Sequence, residues 1–245
     1  MRGPHVRACC RTIERMLALF RTAGGTDVYF SRPGAAAARS WMLLCIAGLA
    51  VLSGPAQASS PQPAAVSFYR GQGVDANLIH LIPDLLSGDL RYEETFFTAL
   101  GYYHPLETPR VMQPVFDFFH VPNTRTGCEL ILAKHNGMQD NAEVDVAYLL
   151  RFSRLSLSVI SVQFSFGYGL SYAFGRPTYE EGPTEDPDAR YRFQSYGAYE
   201  LEWGYSADPR FGLVTRIHHR SGTYGIIAPP KVGSNFVTLG LRYSF

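Results

Sequence analysis

The chain has 245 residues, enough for one domain or a small pair, and its 46% hydrophobic and 18% charged composition excludes a disordered protein. The net charge of +1 conceals an uneven distribution: residues 1–58 hold seven arginines against Glu14 and Asp27, leaving 15 basic and 19 acidic residues beyond them. The larger part is therefore mildly acidic, which argues against nucleic acid as a partner.

Residues 1–38 show no pattern of a folded element and read as an extension outside the domain. Residues 39–58 read as an export signal. Arg39 supplies the positive charge, Trp41 to Leu52 an apolar run of about a dozen residues, and Ala56-Gln57-Ala58 the small-x-small cleavage form. The run is shorter than the roughly 20 apolar residues that a membrane-spanning helix needs. Leu44 stands before Cys45 where a lipoprotein signal has a small residue. Cleavage after Ala58 removes Cys9, Cys10 and Cys45, so Cys128 is left without a disulfide partner and no zinc spacing remains. Among metal-ligand types only His218 and His219 cluster, with nothing acidic beside them in sequence. His80, His104, His120 and His135 read as structural or surface residues, and no cofactor or metal is expected.

The domain expected over 59–245 has no apolar run of transmembrane-helix length but many alternating segments. In 162–174, Val162, Phe164, Phe166, Tyr168, Leu170, Tyr172 and Phe174 share one face, opposite Gln163, Ser165, Gly167, Gly169, Ser171 and Ala173. Period-2 alternation is that of a strand, apolar on one side and small or polar on the other. In an exported chain this predicts an all-β fold, an eight-stranded antiparallel transmembrane β-barrel of the cell outer membrane. The strands fall at 65–72, 92–104, 127–136, 141–152, 158–174, 191–205, 212–221 and 235–245. The connections 73–91, 175–190 and 222–234 are expected as outer loops, and 153–157 and 206–211 as periplasmic turns. Region 105–126 fits this scheme poorly, because Val115-Phe116-Asp117-Phe118-Phe119 reads as part of a strand. The last strand places Val237, Leu239, Leu241, Tyr243 and Phe245 on one face, the kind of aromatic-ended signal that outer-membrane assembly machinery reads.

Charges directed toward lipid cost about 2–4 kcal/mol near the midplane, so charged residues of the strands belong in the lumen. On that ground Glu143, Asp145, Arg151, Glu200, Glu202, Arg216, Arg220 and Arg242 point inward. His219 and Ser221, on the opposite face from Arg216 and Arg220, then point outward at the level of the outer-leaflet head groups. A His and a Ser two residues apart on a strand are neighbours on one face, and the imidazole can act as general base toward the hydroxyl. A site facing out of a barrel acts on membrane esters. Polar residues at a membrane interface show the same pair without any chemistry.

The run from Arg216 to Gly225, the run from Gly233 to Tyr243, Gly167-Tyr168-Gly169-Leu170-Ser171-Tyr172 and Glu200-Leu201-Glu202-Trp203 together resemble the lipid A 3-O-deacylase family (PagL type, or acyloxyacyl-hydrolase-like). The resemblance covers roughly residues 158–245. It implies an outer-membrane esterase that removes an ester-linked hydroxyacyl chain from lipid A of lipopolysaccharide, by a Ser-His-acid mechanism without a metal. Ser221 matches the nucleophile and His219 the base. The family's Glu falls on Gly233, and nothing acidic lies between Ser221 and Phe245; the Asn that follows the family's serine is replaced by Gly222. Asn235 or Ser234 can take the orienting role, Glu180 or Glu181 can reach in from a loop, or the activity is lost. The alternative function is a non-catalytic structural or adhesive barrel. A homodimer is compatible with either.

Overall fold

The computed structural model describes residues 63–121, 123–180, 182–183, 186 and 188–245. The extension over 1–38 and the export signal over 39–58 lie outside these residues, as does Glu181.

The expected strands all form. In chain order they are β1 (Ala65–Val74), β2 (Tyr92–Leu106), β3 (Arg125–Gly137), β4 (Ala142–Arg151), β5 (Leu155–Leu157), β6 (Ile160–Phe174), β7 (Phe193–Tyr205), β8 (Asp208–Ser221) and β9 (Gly233–Ser244). β5 is a three-residue ribbon on β6, while β4 bonds directly to β6 from Ala142↔Phe174 to Arg151↔Ser165. The wall is thus eight antiparallel strands, closed by β1 against β9 from Ala65↔Ser244 to Gly73↔Phe236. Closure leaves no sheet edge, which is what permits strands to cross lipid.

Three expectations change. The turn expected over 153–157 holds the β5 ribbon, and the tight turn lies at 158–159, where the strand over 158–174 was expected to begin. The turn expected over 206–211 shrinks to 206–207, since β8 already begins at Asp208 with a register irregularity at Gly204/Tyr205. The strand expected around Val115–Phe119 is instead a short helix, α2 (Gln113–Phe118), and Phe116 is its buried residue. The reason is Pro114 in its first turn: proline cannot donate to a sheet ladder, and its fixed φ suits a helix start. A longer helix, α1 (Leu78–Ser87), occupies the loop between β1 and β2 and ends on Gly88 in the left-handed conformation at φ 83°.

The lumen is filled by ion pairs. Arg216 donates to both oxygens of Glu129 at 2.8 and 2.7 Å and to Glu200 at 3.0 Å. Arg242 donates to Glu200 at 2.5 Å, to Glu202 at 2.7 Å and to the Tyr69 hydroxyl at 2.7 Å, and Arg151 reaches Glu202 at 2.6 Å. These groups are buried, so the barrel is a packed plug and not a pore. The exterior is the inverse. Phe68, Leu100, Leu132, Phe164, Leu170, Leu213, Leu239 and Leu241 are exposed in a band around the wall. A closed barrel that turns its apolar side chains outward is a membrane protein, and its membrane is the outer membrane. Arg70 is exposed on this outer face and needs its long stem to carry the charge to an interface.

Candidate active site

The site is built on β7, β8 and β9 at their outer ends. Along β8, Arg216, His218 and Arg220 are buried in the lumen, and His219 and Ser221 emerge half-buried on the outer face. The register sets their neighbours. His219 lies between Gly197 of β7 and Asn235 of β9, and Ser221 lies between Ser195 and Gly233.

Asn235 Oδ1 is 2.7 Å from His219 Nδ1. The other end of the amide, Nδ2, donates to the backbone oxygen of Ala76 at 2.8 Å. That second bond fixes which way the amide points. With its N–H₂ committed to a carbonyl, Asn235 can only accept from the ring, so Nδ1 carries the proton and Nε2 is left as a basic lone pair. Gly197 borders the ring, and a Cβ there would stand 3.4 Å from His219 Cδ2, an ordinary van der Waals contact.

Ala76 belongs to a strap that folds down the outside of the wall. Val74, Leu81 and Leu90 pack with Ile217, and Ala76, Leu78, Tyr199 and Val237 join them. This explains why Ile217, on the lipid-facing side of β8, is buried. Ile79 and Leu86 of α1 remain exposed, which places an apolar helix surface beside the site.

Ser221 Oγ is 3.0 Å from Ser195 Oγ, and Ser195 also donates to the Ser221 backbone oxygen at 2.8 Å. Thr223 Oγ1 donates to Ser195 at 2.6 Å, and the Tyr168 hydroxyl lies 2.9 Å from Thr223. A run of four hydroxyls therefore crosses the outer face beside the His219–Asn235 pair. Sequence reading missed Ser195, Thr223 and Tyr168, because only the register brings them together.

The other expected partners of His219 are elsewhere. Ser234 points into the lumen and donates to Glu180 at 3.1 Å. Glu180 is buried there too, against Arg220 and Gln194, on the far side of the wall from His219. Gly233 faces Ser221 and not His219. The family's acid position is thus offset from the imidazole by two residues, and the side chain across from His219 is the amide of Asn235. The histidine expectations need correction as well. His218 is not beside His219 in space but opposite it, 2.8 Å from Glu143, and His135 is 3.3 Å from the same carboxylate.

No protein-family model matches the chain, and no curated protein matches it. Similar solved structures include the outer-membrane enzyme PagL, at 11% identity and TM-score 0.46 over 74% of this chain and 99% of that one. They also include the Neisserial surface protein NspA, at 11% identity and TM-score 0.43 over 74% and 96%. The outer membrane protein Ail of Yersinia pestis is similar at 11% identity and TM-score 0.37 over 76% and 100%. One of these is an enzyme and two are named only as membrane or surface proteins, so the likeness selects no activity.

Proposed function

We propose that this barrel is an esterase of the outer leaflet that removes an ester-linked hydroxyacyl chain from lipid A. The observation that carries the reading is the doubly tied Asn235, which holds His219 as the tautomer with a free Nε2. In serine proteases an amide in place of the orienting acid costs about 10⁴-fold because it imposes the wrong tautomer. Here the Ala76 carbonyl occupies the amide N–H₂ and removes that cause.

In this reading a χ1 rotation takes the Ser221 hydroxyl from Ser195 to His219 Nε2. The imidazole accepts the proton as Oγ attacks the acyl carbonyl, and returns it to the departing sugar oxygen. Water, deprotonated by the same nitrogen, then releases the acyl chain as a hydroxy fatty acid and restores Ser221. A backbone N–H near Gly222 is the proposed donor to the oxyanion. Lipopolysaccharide is the partner, reached from the membrane without leaving it. The β9 strand ending at Phe245 is the proposed signal to the assembly machinery.

Expression in a strain with intact lipid A is expected to lower the lipid A mass by one hydroxyacyl chain, and Ser221→Ala to abolish the shift while the barrel still folds. An unchanged spectrum from folded wild-type protein would leave the second reading, a non-catalytic barrel. That reading is favoured by the hydroxyl run that engages Ser221 away from His219, and by a neutral residue where the family has an acid.

A further inference from the structure

We propose that the outer half of the lumen binds one divalent cation, ligated by Glu143, Asp145 and His218. β4 presents Glu143 and Asp145 two residues apart on its inward face, and β8 presents His218 from across the lumen. One donor atom from each lies within 4.8 Å of the others. His218 Nε2 is 2.8 Å from Glu143 Oε1 and 3.9 Å from Asp145 Oδ2. A cation bound at about 2.0–2.2 Å from each donor is accommodated by small side-chain rotations from this arrangement.

The independent observation is Asp145 itself. It is 0% exposed, and among the described residues neither of its carboxylate oxygens meets a donor at hydrogen-bonding distance. The other buried lumen carboxylates each meet a guanidinium: Glu129 meets Arg216, Glu200 and Glu202 meet Arg242, and Glu180 and Glu143 meet Arg220. An ionised carboxylate with no such partner is among the costliest groups to bury, and the cost is relieved by a proton or by coordination to a metal.

Charge points the same way. Glu143 and Glu180 pair with Arg220, and Asp145 adds a third carboxylate beside Glu143, so with all three ionised Arg220 leaves two negative charges for a divalent ion to balance. The donor set, one imidazole nitrogen and two carboxylate oxygens, suits zinc, manganese or iron(II) better than calcium or magnesium. Phe97 and Tyr196 pack on the His218 ring with centroids at 4.6 and 4.7 Å and close the site to bulk water. His135, 3.3 Å from Glu143, orients that carboxylate from the side away from His218. The ion ties β4 to β8 across the barrel, behind the wall that carries His219 and Ser221. Its role is structural and independent of the proposed esterase activity.

The test uses full-length protein extracted from membranes in detergent, treated with chelator, and refolded with Zn²⁺, Mn²⁺ or Co²⁺ alone. About one ion per chain is expected to survive desalting, Co²⁺ is expected to give visible ligand-field absorption, and the thermal midpoint is expected to rise with metal. Asp145→Asn and His218→Gln are expected to lose the ion, and Asp208→Asn, at the periplasmic start of β8, to keep it. Wild-type protein that retains none of the three metals overturns the proposal, whether or not the variants fold. So does Asp145→Asn protein that binds as much as wild type, or that is more stable without metal than wild type is with it. The last result would assign Asp145 to a proton shared with Glu143.

Discussion

Asn235 accepts from His219 with its oxygen and donates to Ala76 with its nitrogen, so a single amide joins the imidazole on β8 to the strap that follows β1. Removing the side chain frees the ring and its tautomer at once. Asn235→Leu is therefore expected to lower deacylation by about 10²–10⁴-fold, approaching the loss seen when an orienting acid is disabled. Asn235→Asp keeps an acceptor at Nδ1 and adds charge, but sets a carboxylate against the Ala76 carbonyl. It is expected to retain more activity than Asn235→Leu. Turnover of lipid A by purified variants decides it, and equal rates for Leu and wild type would remove Asn235 from the mechanism.

The resemblance to the deacylase family places its acid at Gly233, and the register shows why restoring an acid there does not help. Gly233 pairs with Ser221, has φ 133°, and a Cβ on it would lie 2.0 Å from the Arg220 carbonyl. A side chain needs a backbone shift at the very residue that aligns Ser221. Gly233→Glu is expected to lower activity and to weaken the barrel. A gain in rate from Gly233→Glu would show that the carboxylate reaches His219 and that the pairing of His219 with Asn235 is not the working one.

Ser195 holds Ser221 in the resting arrangement, at 3.0 Å. The nucleophile has to leave that hydrogen bond to reach His219, and a neutral hydrogen bond has a net worth of about 0.5–1.5 kcal/mol. Ser195→Ala is accordingly expected to raise the acylation rate by between about twofold and tenfold, measured with a serine-directed covalent probe. Slower labelling would mean that Ser195 positions the nucleophile and does not restrain it.

The barrel was legible in the sequence because period-2 alternation is imposed by the pleat itself, and the inward direction of Arg216, Arg220 and Arg242 follows from the cost of charge in lipid. His219 and Ser221 were legible for the same reason, since their parity relative to the arginines fixes their face. What stayed hidden depends on register between strands far apart in the chain. Nothing in the sequence says that Asn235 sits across from His219 while Gly233 sits across from Ser221, or that Ser195 meets Ser221. Glu143 and His218 are 2.8 Å apart and lie on strands that are not neighbours in the wall, so no local pattern could join them. The helix α2 was missed because an aromatic-rich run outweighed one proline.

Arg242 is the centre of the inner lumen, donating to Glu200, Glu202, Tyr69 and Ser67 from a fully buried position. Arg242→Met removes one positive charge and takes one partner each from Glu200 and Glu202, which keep Arg216 and the pair Arg151 and Arg154 respectively. Breaking one side of a buried ion pair costs about 3–5 kcal/mol where the remaining charge is uncompensated, so this range is an upper bound for a network that keeps Arg216, Arg151 and Arg154. The unfolding free energy from urea titration, followed by heat-modifiable gel mobility, is expected to fall by up to that amount. Pairing the change with Glu200→Gln is expected to recover part of that loss, since the two residues share one network and their effects are not additive. A single variant as stable as wild type would mean that the remaining arginines, with water, satisfy Glu200 and Glu202 on their own.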